Sequence, residues 1–156
     1  MHDHGIICIL NGNTEICQAF ELRAGIEMMA VRLCCEKATD EQLEEIASLF
    51  DQFTIPFDDV SCRKYVAKDN EFHEKIIKCS GNTLIIQTMD LAAFIARSNR
   101  GGLVRPPEET LAEHISISDA LRSRNADEAA RRMLEHLMRS RDLIRHSILE
   151  EGQKEE

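Results

Sequence analysis

Asp69 and His73 stand one helical turn apart in a strongly helical stretch, and His114 and His136 occur singly in two later stretches of the same kind. Residues at i and i+4 lie on one helix face with Cβ atoms about 6 Å apart, so an aspartate and a histidine at that spacing can grip one ion together. His114 shares a helical face with Leu111, Ile117 and Leu121, and His136 with Ala129, Met133, Ser140 and Leu143, which turns both imidazoles toward a core. Asp69 and His73 flank Val66, Ile76 and Ile77, where an isolated carboxylate is costly without a partner. Taken alone, each histidine also fits a hydrogen-bonded core imidazole. Taken together, the four residues are explained by one divalent metal, which neutralises the acid and takes a lone pair from each neutral ring. Zn²⁺ is the favoured ion for such a donor set, with Ni²⁺ and Mn²⁺ also chemically reasonable.

Other metal and nucleophile chemistries lack their residues. A di-iron bundle needs Glu-x-x-His pairs, but the residues three before His73, His114, His136 and His146 are Asn70, Leu111, Met133 and Leu143. There is no H-E-x-x-H, no Gly-rich phosphate loop and no G-x-S-x-G elbow. His2 and His4 read as an adventitious pair near the start of the chain, and His146 as a surface residue. Glu71, Glu74, Glu113 and Glu135 lie close to the candidate ligands in sequence but are expected to point off the metal's face, so a dedicated general base is missing. A metal-dependent enzyme acting on a small organic acid is the rival reading, and a purely structural helical module a third.

The elements that must position these residues are all helices. The chain has 156 residues and three prolines, with long segments that repeat apolar residues at spacings of three and four. The pattern predicts an all-α antiparallel helical bundle of about six helices in one domain. The first runs from about Thr14 to Lys37 and buries Ile16, Phe20, Ile26, Met29, Val31 and Leu33. Thr39 with Gln42 forms a capping box for a second helix with a Leu43, Ile46, Leu49, Phe50 stripe. A third spans about Asp59 or Val60 to Cys79, closed by Ser80-Gly81-Asn82, and a fourth about Thr83 to Asn99. After a loop from Arg100 to Pro107, helix five carries Leu111, Ile115, Ile117 and Leu121, and helix six runs from about Ala126 to Leu149. Residues 1–13, with Ile6 to Leu10 followed by Asn11-Gly12-Asn13, read as a linker remnant or short extended piece, and residues 150–156 as a polar tail that frays.

Composition narrows the partners. A net charge of −9 and a pI near 5.2 argue against a nucleic-acid surface. The Arg131 to Arg145 stretch, interleaved with Glu135 and Asp142, reads as a solvated helix face. Leu84 to Ala96 is interrupted by Gln87 and Asp90 and is too short to span a bilayer, and the start lacks the basic region of a signal peptide. The six cysteines show no C-x-x-C spacing and read as reduced, mostly buried residues of a soluble cytoplasmic protein.

Three segments carry a family likeness: ELRAGIEMMAVRLCCEKATDEQLEEI (Glu21 to Ile46), KDNEFHEKIIKCSGNTLI (Lys68 to Ile85) and EETLAEHISISDALRSRNADEAARRMLEHL (Glu108 to Leu137). Over about residues 14 to 145 the chain resembles the FCD domain, the C-terminal effector-binding domain of GntR-type bacterial transcription regulators of the FadR subfamily. The resemblance implies that Asp69, His73, His114 and His136 bind a divalent metal at the floor of a cavity, where a small carboxylic acid effector reaches it. It implies that Arg23 pairs with the effector carboxylate, a role that suits a planar fork of donors, while an interhelical salt bridge is the alternative. Asn82 is either an effector contact or only the cap of the fourth helix. The resemblance further implies a homodimer, and DNA contact only through a winged-helix domain. No such domain is recognisable in these residues, which fits an excised or truncated effector domain, or a protein that works without reading DNA itself.

Overall fold

The computed structural model describes residues 13–89 and 104–152. They form α1 (Asn13–Lys37), α2 (Asp40–Ala47) running into a 3₁₀ turn (Ser48–Phe50), α3 (Asp59–Cys79), α4 (helical over 83–89), α5 (Pro107–Arg122) and α6 (Ala126–Gly152), with no strand among the described residues. The all-α bundle is therefore observed. Expectations on residues 1–12, on 90–103 and on 153–156 lie outside the described residues, including the short extended piece, His2, His4, the distal part of the fourth helix and the first half of the 100–107 loop. Helix α6 continues to Gly152, past the expected start of the polar tail at residue 150. No helix among the described residues is long and apolar enough to cross a membrane.

Caps fix where the helices start. Thr39 and Gln42 make the expected capping box, and Asp58 makes a second one with Ser61 at the head of α3. Gly81, at φ +61°, turns the chain out of α3, and the Asn82 side chain accepts the backbone N–H groups of Leu84 (3.1 Å) and Ile85 (3.2 Å) to open α4. Pro107 opens α5 at a position whose N–H has no helical acceptor.

Helices α1 and α6 form the long antiparallel pair; α3 packs on α1, α5 on α6, and α2 in turn on α5. Cys17 and Glu21, near the start of α1, meet Arg141 of α6, while Arg32, near its end, pairs with Asp127. Small buried residues, Ala24, Ala30, Cys34 and Cys35 on α1 and Ala129 and Ala130 on α6, suit close approach of the two axes. The buried stripe of α1 reads Ile16, Phe20, Ala24, Glu27, Val31, Cys34, Ala38. Met29, expected in the core, is 43% exposed, and Ile26 and Leu33 are half-buried. The apolar residues of α1 are spread round the helix with charged residues among them, so spacing alone could not say which side would be covered. Two other core expectations also fail: Ile115 lies on the outer side of α5, and Ile144 rather than Leu143 continues the buried stripe of α6 through Met133 and Leu137.

Helix α2, its 3₁₀ turn and α3 build an aromatic wall. Phe50 lies 5.1 Å from Phe72 and 5.5 Å from Tyr65, with Phe53 and Phe57 packed edge-on to the same tyrosine. Five free cysteines are described: Cys17, Cys34 and Cys35 are buried, Cys62 and Cys79 half-buried.

The α5–α6 turn places Arg124 at φ +50°, a conformation that L-residues occupy at a cost. Its guanidinium offsets that cost by donating to the Cys35 and Ala38 carbonyls, 2.8 Å each, and to Asp40, so one side chain closes the end of α1. Arg124→Ala should lower stability in urea unfolding by about 1–3 kcal/mol, the range for lost charge-assisted bonds. Arg124→Gly should cost less than the alanine variant because glycine accepts the positive φ. A glycine variant less stable than the alanine one would contradict this reading.

Candidate metal centre

Asp69 and His73 project from one face of α3, as their spacing requires, and α5 and α6 bring His114 and His136 to meet them. One ligand atom from each of the four residues lies within 4.8 Å of all the others. Donors held about 2.0–2.2 Å from a common first-row cation lie about 3 to 4.4 Å from one another, so this cluster needs only slight closure around an ion. The imidazole centroids are 4.4 Å (His114, His136), 5.5 Å (His73, His136) and 5.6 Å (His73, His114) apart. All three rings are buried and Asp69 is half-buried, so the cluster is most open at the carboxylate.

Every ring is held at Nδ1 by a separate partner. The His73 Nδ1 meets Glu27 Oε2, the His114 Nδ1 lies 2.7 Å from the Tyr65 hydroxyl, and the His136 Nδ1 lies 2.7 Å from Glu113 Oε2. An ionised carboxylate only accepts, so His73 and His136 carry their proton on Nδ1 and present the Nε2 lone pair. For His114 the same tautomer follows from a chain of donors: Thr110 Oγ1 donates to the Pro106 carbonyl at 3.4 Å, and Tyr65 donates to Thr110 at 2.8 Å. The tyrosine oxygen is then left to accept from Nδ1–H. Phe50 stacks on the His114 ring at 4.4 Å and 9°. This is the arrangement by which protein histidines are oriented toward metals, with the outer nitrogen bonded and the inner one bare.

The bare nitrogen supplies a direct test of fit. Nε2 of His114 is fully buried with no hydrogen-bond partner, although Asp69 Oδ1 lies 3.1 Å away outside hydrogen-bonding geometry. A buried nitrogen lone pair beside a carboxylate oxygen but not aimed at it suits a cation held by both atoms at once. The charge states agree. Burial pushes the His114 imidazole below its usual range, and burial with the neighbouring His114 pushes His136 down to about 3, so both rings are neutral at physiological pH. Burial alone would raise the Asp69 carboxyl, but the adjacent His114, His73 and His136 outweigh it and hold the group well below the usual carboxylate range. Three imidazole nitrogens and one carboxylate are a donor set that suits a divalent transition metal.

Three arginines hold the remaining acids. Glu27 is fully buried on α1 and accepts from Arg23 Nε at 2.7 Å, and Arg23 and His73 overcome its burial to bring it down to about 2. Glu113 is held by Arg105 through Nη1 (2.9 Å) and Nη2 (2.5 Å) and by Arg139 at 2.6 Å, which keep it well below the usual range despite burial. Arg105 Nη2 also lies 3.3 Å from His136 Nδ1, a contact between two donors that arises because both hold Glu113. Within the cluster, Asp69 is the acid not paired with an arginine.

The expected site residues divide. Asp69, His73, His114 and His136 come together. Arg23 points to the His73 side of the cluster through Glu27, and its guanidinium also lies over the Phe20 ring at 5.2 Å. Asn82 spends its side-chain oxygen on the α4 cap. Glu71, Glu74 and Glu135 pair with Lys68, Lys78 and Arg131 away from the cluster, but Glu113, expected to point off the metal's face, is drawn in behind His136. His146 is exposed. Sequence reasoning missed Glu27, Tyr65 and Arg105. A signal existed for Glu27, a charge standing in the apolar register Phe20, Ala24, Val31, Cys34. None existed for Arg105, which lies in an aperiodic segment.

Residues 18–139 match the family model of the FCD domain. The chain is 32% identical over 139 residues to the Nta operon transcriptional regulator of Aminobacter aminovorans, covering 87% of this chain and 64% of that protein. It is 33% identical over 127 residues to the HTH-type transcriptional repressor NanR of Cronobacter sakazakii, covering 75% of this chain and 46% of that one. Among solved structures it resembles the Streptococcus agalactiae GntR, with a TM-score of 0.73 at 26% identity over 88% of this chain and 63% of that one. The chain thus spans about half to two thirds of the length of these relatives, of which the first two are a transcriptional regulator and a transcriptional repressor. It belongs to the FCD domain family of GntR-type transcription regulators, as an effector-sensing regulatory domain.

Proposed function

We propose that Asp69, His73, His114 and His136 hold one divalent cation, Zn²⁺ before Ni²⁺ or Mn²⁺, and that this cation with Arg23 forms the receptor for a small carboxylic acid. The observation that carries the reading is the buried Nε2 of His114, without a hydrogen-bond partner and 3.1 Å from the Asp69 carboxylate. Charge carries the second half. Glu27 is matched by Arg23, and Glu113 by Arg105 and the more exposed Arg139, so Asp69 is the acid of the cluster without an arginine, and a divalent ion would leave the cluster with a net positive charge. A buried positive centre favours an anion. When bound, the ion supplies a Lewis-acidic anchor with coordination positions left for carboxylate oxygens.

Arg23 suits the other end of such a ligand. Its Nε–H is committed to Glu27, which fixes the guanidinium plane, and the Nη edge of an arginine presents paired donors at the spacing of a carboxylate. Asn82 is retained as a weaker candidate contact. In the whole regulator, ligand binding would shift helix positions and the geometry of a homodimer, and with it the spacing of DNA-reading domains in the cytoplasm.

Zn²⁺ at one hundred times its dissociation constant should stabilise the protein by about 2.7 kcal/mol, seen as a rise in melting temperature, and His114→Ala should abolish that rise. A parent protein whose melting is unmoved by Zn²⁺, Ni²⁺ and Mn²⁺ would refute the metal.

Arg23→Lys keeps a cation beside Glu27 but loses the planar fork. The variant should melt close to the parent in the absence of acids and lose most of the further stabilisation that carboxylic acids give the Zn²⁺-loaded parent. Unchanged acid binding would remove Arg23 from the receptor.

A further inference from the structure

We infer that Arg105 is a positioning residue of the metal centre, setting His136 through Glu113 and tying the centre to the segment that leads into α5. The inference rests on the divalent-metal reading above. Arg105 lies outside the helices, two residues before Pro107, and is nevertheless buried. Its guanidinium bonds to groups on α5 and α6 that surround His136. It grips both oxygens of Glu113, whose Oε2 holds the His136 Nδ1–H at 2.7 Å. It donates to the His136 backbone carbonyl at 3.1 Å, and through Nε to Ser140 Oγ, one turn further on, at 3.1 Å. The ring, the backbone and the next turn of the same ligand are thus fixed from one planar fork.

The neighbouring residue does the same for a second ligand. The Pro106 carbonyl ends the chain through Thr110 and Tyr65 that orients His114. Two of the three imidazoles are therefore buttressed from the dipeptide Arg105–Pro106, and the third, His73, from α1 through Glu27. Closure of His114 and His136 on an ion must be felt at the entry to α5, and displacement of that entry must loosen the ion. Linkage makes the two effects reciprocal. Lysine cannot replace Arg105 here, because one ammonium carries its donors on a single atom and cannot span both Glu113 oxygens, a carbonyl and a hydroxyl.

The test uses the whole chain, with Zn²⁺ affinity from competition with a chromophoric chelator, the visible spectrum of the Co²⁺-loaded protein, and amide hydrogen exchange over residues 104–110. Arg105→Lys should weaken Zn²⁺ about 10–100-fold, the usual effect of losing a group that orients a metal-bound histidine, and should alter the Co²⁺ bands. Zn²⁺ should slow exchange at 104–110 in the parent and not in the variant. Arg139 still compensates Glu113 in that variant, which favours folding. Should it fail to fold, the double variant Arg105→Met, Glu113→Gln, which removes both charges, decides the matter by the same affinity criterion. A variant with parental Zn²⁺ affinity and Co²⁺ spectrum overturns the role of Arg105 and leaves the metal centre standing. A parent that takes up neither Zn²⁺ nor Co²⁺ overturns the metal reading and this inference with it.

Discussion

Burying three imidazoles and a carboxylate at one point in a helical core is the constraint to which the surrounding structure answers. Each ring nitrogen that faces away from the cluster needs a partner, and each partner needs its own. The result is three chains, His73 to Glu27 to Arg23, His114 to Tyr65 to Thr110 to Pro106, and His136 to Glu113 to Arg105. Left unpaired, any of these groups would cost about 1–3 kcal/mol or more, so the network is a condition of folding as well as of binding.

The bundle provides what that network requires. α1 and α6 run antiparallel through small buried residues, and α1 presents Glu27 at the level of His73 while α6 presents His136 to α5. The aromatic wall of Phe50, Tyr65 and Phe72 gives His114 a stacked face and a polar edge at once. Rigid walls of this kind hold ligand geometry better than loops do, which is why the ligands come from helices. Arg105 supports the cluster from outside the helices, and its bonds to Glu113 and the His136 carbonyl join residues 104–106 to the centre.

Much of this was legible in the sequence, for physical reasons. Period and caps located the helices, because Thr39, Gln42, Asn82 and Pro107 act locally. Asp69 and His73 were readable as a pair because a helix enforces their juxtaposition, and His114 and His136 because they share faces with buried residues. Less was legible where the decision is tertiary. Met29, Ile115 and Leu143 were expected inside because spacing defines a stripe but not the neighbour that covers it. Glu113 looked like a surface acid because its burial depends on Arg105, eight residues back in a segment without periodicity. Glu27 was visible only as an anomaly, a carboxylate in an apolar register, and its meaning required His73 from another helix.

The central claim is that four named side chains share one ion. X-ray absorption at the zinc edge of protein loaded with one equivalent of Zn²⁺ tests it without a crystal. The expected result is a first shell of nitrogen and oxygen at about 2.0–2.1 Å with the outer-shell scattering of three imidazoles, reduced to two in His136→Ala. Sulfur in the first shell, or an imidazole count that His136→Ala leaves unchanged, would contradict it.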